Sequence, residues 1–187
     1  MSRPRIIVTT DITSVQAGYK EPDDCQSLVR LLAMSDKFKI EGLIASSRLN
    51  HGQDVCPQHI EHVVNAYGKV EKQLLKHSPT YPSAKYLRSI IKAGQPIALP
   101  SLPVEASIGE NEDTEASDWI IERLSENLAE PLWVIAWGGT ADLAQALWRI
   151  RESMSSHEQK KLLARLRVYA VADQDSTSPW IRANFPD

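Results

Sequence analysis

Ile6-Ile7-Val8-Thr9-Thr10-Asp11, followed by Pro22-Asp23-Asp24-Cys25-Gln26-Ser27-Leu28-Val29-Arg30-Leu31-Leu32, is the stretch that decides the fold. Residues 6–10 are all β-branched and lie between Pro4 and Asp11, which predicts a strand over about 5–10. From Asp24 the period changes, and Leu28, Leu31 and Leu32 share one helical face over about 24–35. Strand followed by helix is the first half of a βαβ unit. In a parallel α/β sheet, ligands bind beyond the carboxyl ends of the strands. Asp11 stands at such an end, and Asp23 and Asp24 open the next helix. Three carboxylates meeting there would form an anionic, oxygen-rich pocket suited to a divalent cation, calcium first. Two plainer readings stand beside this one. Asp at a helix start caps backbone N–H groups and complements the helix dipole. Asp11 also suits a turn.

Working outward, the same alternation continues. Lys39–Ala45 reads as a strand, and a helix starts at Pro57 and runs to about Lys76. Pro82 opens a third helix, with Tyr86, Leu87, Ile90 and Ile91 as its stripe and Gly94 as its end. Residues 95–113, with three prolines and Gly109, read as a long loop of the kind used as a lid or binding segment. Thr114 caps a helix containing Trp119, Ile120, Ile121 and Leu124. Strand Leu132–Trp137 turns through Gly138-Gly139 into helix Thr140–Arg151. A short helix over about 156–164 and a strand Leu166–Val171 follow. The expected class is therefore α/β, a mainly parallel open sheet with helices on both faces, Rossmann-like, in one domain over 1–187.

Composition narrows the function. Apolar residues make up 42% and charged residues 24%, as in a globular protein, and the net charge of −3 with no long basic stripe argues against nucleic acid as a partner. No apolar run approaches the length of a membrane span, and no leader is visible, so a cytoplasmic location is the expectation. Two isolated cysteines, Cys25 and Cys56, give no disulfide framework. Cys56, His59 and His62 invite a zinc reading, but only three ligands are local, and surface histidines on a helix explain them better. Gly138-Gly139 would let backbone approach a ligand, or simply serve a tight strand-to-helix connection. Asp173, Gln174 and Asp175 follow the last strand and belong on the same rim, either as site residues or as solvated loop acids. The tryptophans at 119, 133, 137 and 148 lie in apolar periodic segments and read as core.

Several of these stretches resemble one family. They are Arg3–Asp11, Pro22–Leu32, Ile40–Ala45, Tyr81–Arg88, Ser117–Ile121, Trp137–Thr140, Leu143–Leu147, Leu166–Tyr169 and Asp173–Asp175 through Trp180–Arg182. Together they look like the nucleoside hydrolase-like domain of bacterial proteins described as cellulose-binding, which is similar to the inosine-uridine nucleoside hydrolases. The resemblance implies a nucleoside hydrolase-like fold and a calcium-dependent hydrolase of N-glycosidic bonds in nucleosides or related ribosides. Asp11 would hold the metal and activate water, Asp24 would be a bidentate metal ligand, and Ala141 would offer a backbone carbonyl to the metal. Asp23, Asn50, Asp173 and Asp175 would contact the sugar. Thr9 stands where the hydrolases have their first signature Asp, and the segment Ile12–Glu21 is longer than their turn. The match is to the N-terminal portion of a longer domain, so the chain is expected to be C-terminally truncated, with reduced or absent activity. A non-catalytic carbohydrate- or nucleoside-binding module is the alternative. A dehalogenase-type phosphatase is weaker, because Ile12-Thr13 follows Asp11 where that chemistry wants a second Asp. The expected partner is a nucleoside or sugar, with homo-oligomer formation at an open sheet edge.

Overall fold

A computed structural model describes residues 3–15, 23–47, 55–96 and 98–186. Five parallel strands form one sheet in the order β3-β2-β1-β4-β5. They are β1 (Arg5–Thr10), β2 (Lys39–Ala45), β3 (Ile91–Ala93), β4 (Leu132–Ala136) and β5 (Leu166–Ala170). The helices are α1 (Asp23–Ala33), α2 (Pro57–His77), α3 (Ala84–Ser89), α4 (Glu115–Ser125), α5 (Ala141–Ser153), α6 (Ser156–Leu163) and α7 (Thr177–Asn184). The α/β class read from the sequence is the class observed.

β1 is central and every residue of it is buried, as a continuous β-branched run in a two-sided parallel sheet requires. Its odd and even residues feed separate cores. Ile6 and Val8 pack with Leu28, Leu43, Ile60 and Val64 on the side of α1, α2 and α3. Ile7 packs with Ile120, Val134, Leu143 and Leu147 on the side of α4, α5 and α7. The chain winds outward from β1 to β3 on one side and then returns to β4 and β5 on the other. The direction reverses between β1 and β4, which is where such sheets open a crevice at their carboxyl edge. Among the described residues no helix is long and apolar enough to cross a membrane.

Three sequence expectations need correction. The third helix does not run on to Gly94. It starts behind Ser83, whose hydroxyl accepts from Tyr86 N, and ends at Ser89, and Ile91–Ala93 becomes β3. The open edge of β2 supplies ladder partners for Ile91, Lys92 and Ala93, and that pairing outweighs the helical period of the side chains. A helix, α7, covers Thr177–Asn184, where the sequence reading placed none. Trp133 is 39% exposed, not core: it lies on the face of β4 opposite the α5 side, in register with Arg167 of β5.

Candidate functional site at the carboxyl edge of the sheet

At the β1–β4 reversal, Asp11 follows the carboxyl end of β1. This residue is 6% exposed, although it follows the strand directly. α1 delivers Asp24 to it, 8% exposed, and the two acids are in hydrogen-bond contact through the Asp11 side chain and backbone. Thr10 Oγ1 donates to Asp24 Oδ2 at 2.5 Å and itself receives Ile12 N–H at 3.3 Å, so the strand end sets the orientation of the helix carboxylate. Burial raises the Asp24 pKa; the bonds from Thr10 and Asp11 offset that in part, and the neighbouring Asp23 charge raises it further. Asp23 is exposed at the first turn of α1. Among the described residues no group of three or more His, Cys, Asp or Glu side chains is placed to hold a metal. The structure thus brings together two of the three expected acids, with the third on the helix surface.

Next to Asp11, β4 ends in Trp137-Gly138-Gly139-Thr140. A Cβ on Gly138 would lie 2.5 Å from Ser46 Oγ and 2.8 Å from Asp11 Cβ, so only glycine admits this approach of β1, β2 and β4. A Cβ on Gly139 would meet Ser47 Oγ at 2.6 Å and Asp175 Oδ2 at 2.5 Å. The two glycines are thus required by close backbone packing at the rim. Ala141 is buried as the first residue of α5, and its carbonyl enters the helical ladder, directed along the axis.

The acids after β5 divide. Asp175 is 2% exposed; Oδ2 accepts from Thr140 N at 2.9 Å and Oδ1 from Thr177 N at 2.9 Å, tying the mouths of α5 and α7 together. Asp173 is exposed and forms a two-pronged ion pair with Arg182 at 2.8 and 2.7 Å, which holds its carboxyl below the usual range. Asn50 lies outside the described residues. Cys56 precedes α2, His59 is half-buried and His62 exposed, and they join no metal-holding group among the described residues.

Sequence reasoning missed three residues. Thr10 orients Asp24, Ser46 packs against the two-glycine turn, and Asp142 is buried in the first turn of α5. Asp142 Oδ1 accepts from Gln95 N at 2.9 Å and Thr114 Oγ1 at 2.7 Å, joining the end of β3 to the start of α4. Burial raises its pKa to about 6 against those two bonds, with the charge of Asp175 adding to the rise. The available signal was position: each of the three lies next to a strand end or in the first turn of a helix.

The family model of the cellulose-binding Sde182, nucleoside hydrolase-like domain matches residues 5–187. The chain belongs to this family. Its fold superposes with a TM-score of 0.87 on a nucleoside hydrolase-related protein from Saccharophagus degradans described as associated with carbohydrate metabolism, at 30% sequence identity. That match covers 100% of this chain and 43% of the solved one. No curated protein sequence matches the chain. Within the nucleoside hydrolase-like domain, the matched region includes the whole rim described above: the β1 end, the start of α1, the two-glycine turn and the acids after β5.

Two buried carboxyls in contact need a shared proton or a cation between them. They offer up to about four oxygens where calcium takes roughly six to eight. They fit the protein side of a shell completed by hydroxyls, water or ligand.

Proposed function

We propose that the crevice is a cation-assisted sugar site of the nucleoside hydrolase kind, acting on the N-glycosidic bond of a nucleoside or related riboside. The observation that carries this reading is the Asp11–Asp24 pair. Two carboxyls are more than nine-tenths buried and in contact at the end of the central strand, beside the topological reversal. Asp11 and Asp24 are the residues that would hold calcium. When bound, the ion supplies neutralising charge and Lewis acidity that eases loss of a proton from water. Asp11, at the end of the central strand, would accept that proton. Asp24, held by Thr10, keeps negative charge near the anomeric carbon, where an oxocarbenium-like state develops positive charge. Asp23, exposed at the start of α1, is within reach of a sugar hydroxyl entering from solvent.

A second reading is a carbohydrate-binding module without turnover. It is favoured by the cellulose-binding description of the family and by the pairing of two acids, not three, among the described residues. An assay of base release from a panel of ribonucleosides, with calcium and with chelator, separates the two. The expected result is slow, calcium-dependent release that is lost in Asp11→Asn. Calcium-dependent sugar binding without release assigns the module reading. Neither binding nor release overturns both.

A further inference from the structure

Ser46 follows β2 and is 2% exposed, yet its Oγ has no hydrogen-bond partner among the described residues. A buried hydroxyl left this way loses its hydration and gains nothing in return, so such groups are rare in native proteins. Its position is specific. The backbone N–H of Ser46 donates to Thr10 O at 2.9 Å, anchoring the residue beside Asp11. A Cβ placed on Gly138 would meet both Ser46 Oγ, at 2.5 Å, and Asp11 Cβ, at 2.8 Å, so the hydroxyl and Asp11 flank the glycine turn from neighbouring strands. The hydroxyl is a buried polar atom at the end of the strand next to Asp11, without a partner among the described residues.

We infer that Ser46 Oγ is a positioning group for an O–H species held at Asp11, either a bound water or a hydroxyl of the sugar. The inference rests on the site reading above and adds a residue to it. A carboxylate accepts hydrogen bonds and a serine hydroxyl both donates and accepts. An O–H lodged between them can therefore donate to Asp11 and receive from Ser46. In that arrangement an oxygen lone pair of the held group is fixed in direction, which a single carboxylate contact does not achieve.

The test is Ser46→Ala, compared with the wild-type chain by thermal melting and by titration with calcium alone, then with ribose in saturating calcium. If the partner is water, melting temperature falls by roughly 2–4 °C without any ligand, because a made hydrogen bond is lost. If the partner is a sugar hydroxyl, calcium affinity is kept and ribose affinity falls by about tenfold. A rise in melting temperature with both affinities unchanged overturns the inference, since it means the hydroxyl was unsatisfied in the native protein. If neither ligand binds the wild type, the site reading fails and the sugar alternative with it; a fall in melting temperature then still supports a water on Ser46, and the absence of a fall overturns the inference. Failure of the site reading is therefore distinguishable from failure of the role given to Ser46.

Discussion

The two ends of β1 both bury charge, and they do so in opposite ways. At the amino end, Arg5 donates from Nε to Glu41 Oε1 at 2.8 Å and from Nη2 to Glu41 Oε2 at 2.7 Å, with each residue 2% exposed. The remaining guanidinium donors go to Arg123 O, Glu130 O and Glu126, and Lys39 adds a further contact to Glu41. The register slip between Ile6 and Ile7 makes Glu41 the extra residue on β2, which sets it in this network. At the carboxyl end, a carboxyl meets a carboxyl, Asp24 against Asp11. Burial acts on both sites in the same direction, but the bonds from Arg5 and Lys39 outweigh it and bring Glu41 below its usual range, whereas Asp24 stays raised. A satisfied buried ion pair locks a register. A like-charged buried pair costs stability and is retained where a ligand repays it.

The sharpest way to break the comparison is Glu41→Ala. It strands the Arg5 guanidinium in the sheet, and denaturant unfolding should show a loss of about 3–5 kcal/mol. A loss below about 1 kcal/mol would mean that the amino-end network is as dispensable as a surface pair. A smaller effect belongs to Asp142, at the carboxyl edge. Its folded-state pKa, about 6, lies above the ordinary aspartate value of 3.8, so the folded state binds the proton more tightly. Its contribution is therefore fully present below about pH 4 and is lost as pH rises through about 6. Unfolding free energies measured from pH 4 to pH 8 should show this slope in the wild type, amounting to roughly 2–3 kcal/mol at most, and a flatter profile in Asp142→Asn. Identical profiles would show that Asp142 is not a source of pH dependence.

The sequence made the frame legible because its signals were local. The β-branched run of β1, the capping box at Thr114 and Ser117, and the proline at the start of α2 each act within a few residues. β3 was hidden because three residues become a strand only when the edge of β2 pairs with them. α7 was hidden because it opens on Thr177, whose N–H and hydroxyl are satisfied by Asp175 and not by the preceding Ser176. At the site, Asp11 and Asp24 were readable from their places at a strand end and a helix start. Their actual contact depends on the Thr10 hydroxyl, and Ser46 enters only through the parallel pairing of β1 and β2. The divided behaviour of the two late acids, Asp173 on Arg182 and Asp175 between two helix mouths, was equally tertiary in origin.

The central claim is that Asp11 and Asp24 act together as the protein's oxygen ligands for a divalent cation. Calorimetric titration of calcium into the wild-type chain, Asp11→Asn and Asp24→Asn tests it most directly. The predicted result is one site in the wild type and at least about a tenfold weaker affinity in each variant. Equal affinity in all three proteins, or no binding to the wild type, would contradict it.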